Sequence, residues 1–105
     1  MTKIVYDREE YCVTVEGHAG YGPAGTDVVC AGLSALTEAL LRRVSERPTF
    51  QAAYGLSREK ALVRVRLTPR SRRAAVLARE LLECVCAGYE AVAEQFPDHV
   101  RFEVR

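Results

Sequence analysis

The sequence predicts an α+β fold, a two-layer sandwich in which two long helices pack on a mixed, largely antiparallel sheet. Three observations support this class. Several short segments alternate apolar and polar residues, two long segments carry apolar residues at helical spacing, and the elements follow in the order β-β-α-β-β-α-β. With 105 residues and 49% hydrophobic composition, the chain can bury one core, so we expect a single domain over residues 1–105.

Two short strands open the predicted fold. Lys3–Tyr6 is apolar enough for a strand, and the charged segment Asp7–Glu10 forms a turn. Tyr11–His18 then alternates apolar residues on one side with mostly polar residues on the other. Gly17–Gly25 contains four glycines and one proline, which predicts a loop.

The first helix is expected from Thr26 to about Glu46, with Thr26 as its N-cap. Pro48 closes it. Its apolar residues recur at the spacing of one buried face, namely Val29, Leu33, Leu36, Leu40 and Val44.

The second half repeats the pattern. The pattern predicts two strands, Thr49–Tyr54 and Ala61–Thr68, joined by a turn at Gly55–Glu59. It also predicts a final strand at Val100–Val104. A second helix, about Ser71–Phe96, lies between them and ends at Pro97-Asp98. Its predicted buried face consists of Leu77, Leu81, Val85, Val92 and Phe96. Because the strands have one apolar and one polar face, we expect the helices to cover only the apolar face of the sheet. A third layer would form if the polar face were an oligomer interface.

Composition narrows the classes of function. The net charge is +1, from 15 basic and 14 acidic residues, so bulk electrostatics neither favour nor exclude nucleic acid. The cluster Arg70-Ser71-Arg72-Arg73 is typical of a solvated helix start. No signal peptide follows Met1 and no apolar run is long enough to span a bilayer, which predicts a cytoplasmic protein without a membrane partner.

A cytoplasmic location implies that the four cysteines are reduced thiols. Cys84 and Cys86 lie two apart on a helix and point to different sides, unlike the ligand pairs of zinc sites. We therefore expect Cys12, Cys84 and Cys86 to be small apolar fillers and not zinc ligands.

Cys30 is the exception, because it lies near the start of the first helix, where free backbone N–H groups stabilise a thiolate. The helix dipole contributes only about 0.3–1 kcal/mol, so a second group is needed. His18 ends the preceding strand, and the glycine-rich loop can return it to the helix start, whose amides could also form an oxyanion hole. The pair predicts a cysteine hydrolase.

Two polar residues flank this pair. Ser34 lies one helical turn after Cys30, where it either hydrogen-bonds the imidazole or substrate or allows close packing. Asp27 lies nearly one turn before Cys30, where it either caps the helix or orients His18. The residues alone leave both alternatives open.

The run Gly17-His18-Ala19-Gly20, then Gly25, then Asp27-Val28-Val29-Cys30-Ala31 and Ser34, resembles the signature of the bacterial ribosomal-processing cysteine protease family Prp. The resemblance implies a cytoplasmic endopeptidase that removes the N-terminal extension of a large-subunit ribosomal protein. It implies Cys30 as nucleophile, His18 as general base and then general acid, and Asp27 and Ser34 as supporting residues. It also implies a homodimer that needs no cofactor or metal.

Family substrates carry aromatic residues just before the cut, which implies an apolar groove beside the thiol. The loop between His18 and Cys30 would border the substrate path, so we expect substrate contacts from Gly20, Tyr21, Gly22 and Gly25. The segment Tyr21-Gly22-Pro23-Ala24 departs from the family in being rich in small residues. The resemblance therefore predicts the reaction more closely than it predicts the preferred substrate.

Two other functions compete with a protease. A non-catalytic ribosome-biogenesis module, binding RNA or a ribosomal protein without direct catalysis, would need the arginines to form a contiguous basic face; the candidates are Arg64, Arg66, Arg70, Arg72 and Arg73. A thiol redox sensor would need a resolving cysteine near Cys30. For the protease itself we expect no direct nucleic-acid binding.

Overall fold

The computed structural model describes residues 1–23, 25–46, 49–57 and 59–105. Its elements follow the predicted order, which confirms the α+β class. They are β1 (Thr2–Asp7), β2 (Cys12–Glu16), α1 (Val28–Ser45), β3 (Phe50–Ser57), β4 (Leu62–Pro69), α2 (Arg72–Gln95) and β5 (Val100–Val104).

The five strands form one mixed sheet in the order β3-β4-β2-β1-β5. The pairs β3–β4, β4–β2 and β2–β1 are antiparallel, and β1–β5 is parallel. The register places Ile4 opposite Val15 on one side and Phe102 on the other. Because alternate residues share a face, this register collects most of the apolar residues of the strands on one side of the sheet.

The core lies between that side and the helices. The sheet contributes buried side chains from its three central strands, namely Ile4, Tyr6, Val13, Val65 and Leu67. The predicted face of α1 is confirmed at four of its positions, and the fifth, Leu36, is half-buried; the buried positions are Val29, Leu33, Leu40 and Val44.

The buried face of α2 differs from the prediction. Among the predicted residues, Leu77 is 38% exposed, and four are half-buried against the core, namely Leu81, Val85, Val92 and Phe96. The fully buried residues are Ala74, Ala78, Leu82, Cys86 and Tyr89. Small residues on the true face let the helix approach the sheet and α1 closely, and a search for bulky apolar residues overlooks them. Cys84 is also exposed, so its prediction as a buried filler was wrong, while Cys12 and Cys86 are buried as expected.

Several element ends are shifted. The N-cap of α1 is Asp27 and not Thr26, whose hydroxyl instead donates to the Pro23 carbonyl. Strand β2 ends two residues before His18. Strand β3 continues to Ser57, through part of the predicted turn, because Leu56 pairs with Val63 of β4. The predicted helix stop at Pro48 lies outside the described residues.

The outer face of the sheet carries charges of both signs. Lys3 Nζ lies 3.3 Å from a Glu103 carboxylate oxygen, and Arg66 Nη2 lies 3.6 Å from Glu10. These pairs are solvent-exposed and contribute little to stability. They interleave with Arg64, so this face is not a contiguous basic surface of the kind an RNA-binding module needs.

Candidate active site

A turn at Gly17 sets the direction in which the chain leaves β2. The Gly17 N–H donates to the Ala61 carbonyl (3.0 Å), and the Gly17 carbonyl accepts from the Thr2 hydroxyl (3.3 Å). Its φ of 91° is in the left-handed region, and a Cβ there would overlap the Met1 carbonyl. The requirement for glycine is therefore both conformational and steric, and the turn leaves His18 exposed at the rim of a cavity.

Asp27 joins the loop to the start of α1. Its Oδ1 accepts from the N–H groups of Val29 and Cys30, each at 3.0 Å. Its Oδ2 accepts from those of Tyr21 (2.9 Å) and Gly22 (3.2 Å). These bonds, first that from Cys30, hold the pKa of Asp27 below its usual value, although burial acts in the opposite direction.

These contacts change two expectations from the sequence. Within the described residues, the carboxylate of Asp27 bonds to backbone N–H groups and not to the ring of His18. The N–H groups of Val29 and Cys30 are already occupied by this carboxylate, so they are not free to form the oxyanion hole that the sequence suggested. Asp27 is a helix cap and a loop anchor.

Cys30 is the third residue of α1 and is half-buried. Its Sγ accepts a hydrogen bond from the Ala19 N–H at 3.4 Å. This hydrogen bond fixes the sulfur against the loop that follows β2. Ala19 follows His18 directly, so the same loop supplies both the imidazole and this donor.

One open cavity of about 370 Å³ is lined by His18, Cys30 and Ser34 together. Its helix wall is formed by successive turns of α1, including Thr37, Glu38 and Leu41. Its opposite wall is mostly apolar and is formed by three strand residues and one residue of the turn before β4; these are Val15, Leu56, Val63 and Ala61. The cavity is thus a groove with a thiol and an imidazole near one end, and it can hold an extended apolar peptide segment.

The predicted substrate contacts lie elsewhere. Gly20, Tyr21, Gly22 and Gly25 do not line the groove, so their contacts with substrate remain a prediction. The groove residues Leu41, Leu56 and Val63 were missed by the sequence reasoning. Leu41 was detectable, since it repeats the helical spacing that begins at Cys30 and Ser34. The other two depend on how the β3–β4 hairpin packs against α1.

His99 was also missed. Its Nδ1 donates to the Ala19 carbonyl at 2.9 Å, which connects the segment after α2 to the loop that carries His18. Tyr21 packs edge-on against His99 (ring centroids 5.4 Å apart) and against Phe96 (5.2 Å). These contacts join residues about 80 positions apart, and no local pattern indicates them.

In the part of the chain that the structure describes, no three His, Cys, Asp or Glu side chains are grouped so that they could hold a metal ion. Within the same residues, neither helix combines the length and hydropathy needed to cross a membrane.

Comparison with known proteins identifies relatives of this fold. A family model described as the cysteine protease Prp matches residues 1–101. A structure of the essential ribosomal processing protease Prp from S. aureus with a covalently linked product peptide is 17% identical, with a TM-score of 0.85 and 100% of each chain covered. SMU.848 from Streptococcus mutans is 21% identical over 98% of this chain and 90% of that one, with a TM-score of 0.76. No curated protein sequence matches the chain significantly.

Proposed function

The chain belongs to the cysteine protease Prp family, and from this premise we propose that it removes an N-terminal extension from a large-subunit ribosomal protein. A related S. aureus protein is a ribosomal processing protease, and structures of it contain a substrate peptide or a covalently linked product peptide. The observation that carries the proposal for this chain is the groove that His18, Cys30 and Ser34 line together.

The proposed reaction proceeds through a thioester. His18 takes the proton of Cys30 Sγ, and the sulfur forms a bond to the carbonyl carbon of the scissile peptide. When the C–N bond breaks, His18 gives its proton to the leaving amine. Water, deprotonated by His18, then attacks the thioester and restores the free thiol. The Ala19 N–H, 3.4 Å from Sγ, stabilises the sulfur while it carries negative charge.

The shape of the groove supports an extended peptide with apolar side chains as substrate. Leu33, Leu41, Leu56 and Val63 present apolar surface beyond the thiol. An aromatic residue near the cut would bury much of its surface there, and each buried CH₂ group is worth about 0.8 kcal/mol. Glu38 is the charged residue among the lining side chains and lies along the helix wall.

The direct test uses the extended N-terminal peptide of the matching ribosomal protein from the same organism. Mass spectrometry should show one cut, close to an aromatic residue. Cys30→Ala should reduce the rate at least about a thousandfold, and His18→Ala nearly as much, because nucleophile and base act as a unit. The matched control is Cys84→Ser, which changes an exposed thiol outside the groove and should cleave normally.

Cleavage at the parental rate by Cys30→Ala would exclude the covalent mechanism. A peptide that stays intact with the parent protein would exclude the proposed substrate. We further propose that the protein is a cytoplasmic homodimer, as the family resemblance implies; light scattering coupled to size-exclusion chromatography should give twice the mass of one chain, and a single-chain mass would contradict the dimer.

A further inference from the structure

We propose that His99 is a positioning residue for the thiol of Cys30. Its ring holds Ala19 where the Ala19 N–H meets Cys30 Sγ and keeps the neighbouring His18 at the groove. The inference rests on the proposed function in one respect only, namely that Cys30 is the nucleophile.

His99 is itself held in place on three sides. Its backbone N–H donates to the Phe96 carbonyl (2.9 Å), and its carbonyl accepts from the Thr2 N–H (2.9 Å). Its ring Nδ1 lies 2.9 Å from the Ala19 carbonyl oxygen. A carbonyl only accepts, so Nδ1 must carry the hydrogen. The bond therefore exists in the neutral Nδ1–H tautomer and in the imidazolium ion, and it is absent in the Nε2–H tautomer.

Ala19 is the residue through which His99 reaches the site. It is 2% exposed, its carbonyl accepts from His99, and its N–H donates to Cys30 Sγ. With both backbone groups bonded, neither flanking peptide plane can rotate without breaking a contact. His18 lies between this fixed residue and Gly17, which is held by Thr2 and Ala61. Loss of the His99 bond would therefore loosen both the donor to sulfur and the imidazole.

The His99 ring also packs against Tyr21, so two effects must be separated. His99→Phe keeps an aromatic ring beside Tyr21 and removes the hydrogen-bond donor. His99→Asn removes the ring and keeps an N–H donor near the position of Nδ1. If the hydrogen bond positions the thiol, Asn is the better replacement; if the ring packing does so, Phe is.

The experiment measures how fast iodoacetamide alkylates Cys30 in the folded protein, read peptide by peptide with mass spectrometry between pH 5.5 and 9. This readout does not require proteolysis. At pH 7, His99→Phe should lower the Cys30 rate about threefold to tenfold, the effect of one lost hydrogen bond, and should displace the rate profile to higher pH. His99→Asn should stay within about twofold of the parent, and the rate of exposed Cys84 should not change in either variant.

Equal Cys30 rates in the parent and His99→Phe would overturn the proposal, as would an Asn variant no faster than the Phe variant. A measurement on the unmodified protein decides the matter even if a variant fails to fold. Long-range ¹⁵N–¹H correlation spectra report the tautomer of each histidine, and the Nε2–H tautomer at His99 would overturn the proposal. An intact peptide in the cleavage assay, with alkylation still sensitive to His99, would contradict the proposed function and not this inference.

Discussion

At the scale of single residues, Asp27 shows how one side chain can organise the loop and the helix start of a site. Each oxygen of its carboxylate accepts hydrogen bonds from two backbone N–H groups. Oδ2 accepts the pair from the loop, and Oδ1 accepts the pair from the helix start. Cys30 is among the four donors, so the position of the thiol and the path of the loop are set by the same carboxylate.

Asp27→Asn should lower the free energy of unfolding as well as activity. Asparagine offers one oxygen, and its NH₂ group would face two N–H donors. The lowered pKa of Asp27 means that its contribution to stability is present above its ordinary value of 3.8 and is lost as pH falls through the lower folded value. Urea unfolding at pH 7 and pH 3 should therefore show a smaller difference between the two proteins at pH 3. An equal difference at both pH values would contradict this role.

Ser34→Ala tests the other supporting residue. The Ser34 hydroxyl lines the groove and, among the described residues, makes no hydrogen bond within the protein. If it bonds the imidazole or substrate during reaction, turnover should fall about threefold to tenfold with no loss of melting temperature. Ser45→Ala, at the end of the same helix, is the matched control. Turnover equal to that of the parent would mean that the Ser34 hydroxyl takes no part in the reaction.

At the scale of elements, Gly88 of α2 packs closely against Leu36 of α1. A Cβ on Gly88 of α2 would lie 2.8 Å and 2.9 Å from the two methyl carbons of Leu36 on α1. Gly32, inside α1, has no atom within 4 Å of the corresponding position. The two helix-interior glycines therefore differ in the space that surrounds them.

This difference predicts opposite behaviour on substitution. Gly32→Ala should raise the free energy of unfolding by about 0.5–1 kcal/mol, since alanine is the better helix former. Gly88→Ala should be less stable than Gly32→Ala by about 1–2 kcal/mol, because Leu36 must move. Chemical denaturation measures both. Adding Leu36→Ala should remove the specific penalty at Gly88, and a penalty that persists would contradict the steric explanation.

How far the sequence predicts each element depends on whether the deciding contacts are local. Periodicity identified the buried face of α1, but on α2 it favoured Leu77 over Ala74 and Ala78, which are buried because small residues fit a close contact. The end of β3 depends on pairing with β4, and that pairing overrides the glycine that suggested a turn at Gly55.

The site residues likewise differ in whether local sequence or distant contacts determine their position. His18, Cys30 and Ser34 lie within 17 residues of one another, and the loop and helix between them carry a readable pattern. All three line one groove. The opposite wall and the contact from His99 come from distant segments, so only the tertiary structure reveals them.

At the scale of the whole molecule, two buried tyrosines differ in whether their hydroxyl group has a hydrogen-bond partner. Tyr89 of α2 lies 2.6 Å from the hydroxyl of Thr37 on α1, which itself donates to the Leu33 carbonyl. The hydroxyl of Tyr6, on the sheet, has no hydrogen-bond partner among the described residues. Burial raises the pKa of each tyrosine to about 12.

Replacing each tyrosine by phenylalanine should therefore have opposite effects. Tyr6→Phe should raise the free energy of unfolding by about 1 kcal/mol, because an unpaired buried hydroxyl is removed. Tyr89→Phe should lower it by about 1 kcal/mol, because a hydrogen bond is lost. Thermal and urea unfolding at pH 7 measure both, and equal changes in the two variants would contradict this account of the core.

The parallel pairing of β1 with β5 affects when the fold can be completed during synthesis of the chain. Strand β1 is made early during synthesis, but the partner on one of its sides, and His99 just before that partner, are made about ninety residues later. Contacts so distant along the chain form late in folding. A chain that acts as proposed should thus stay inactive on the ribosome until β5 has emerged and paired with β1.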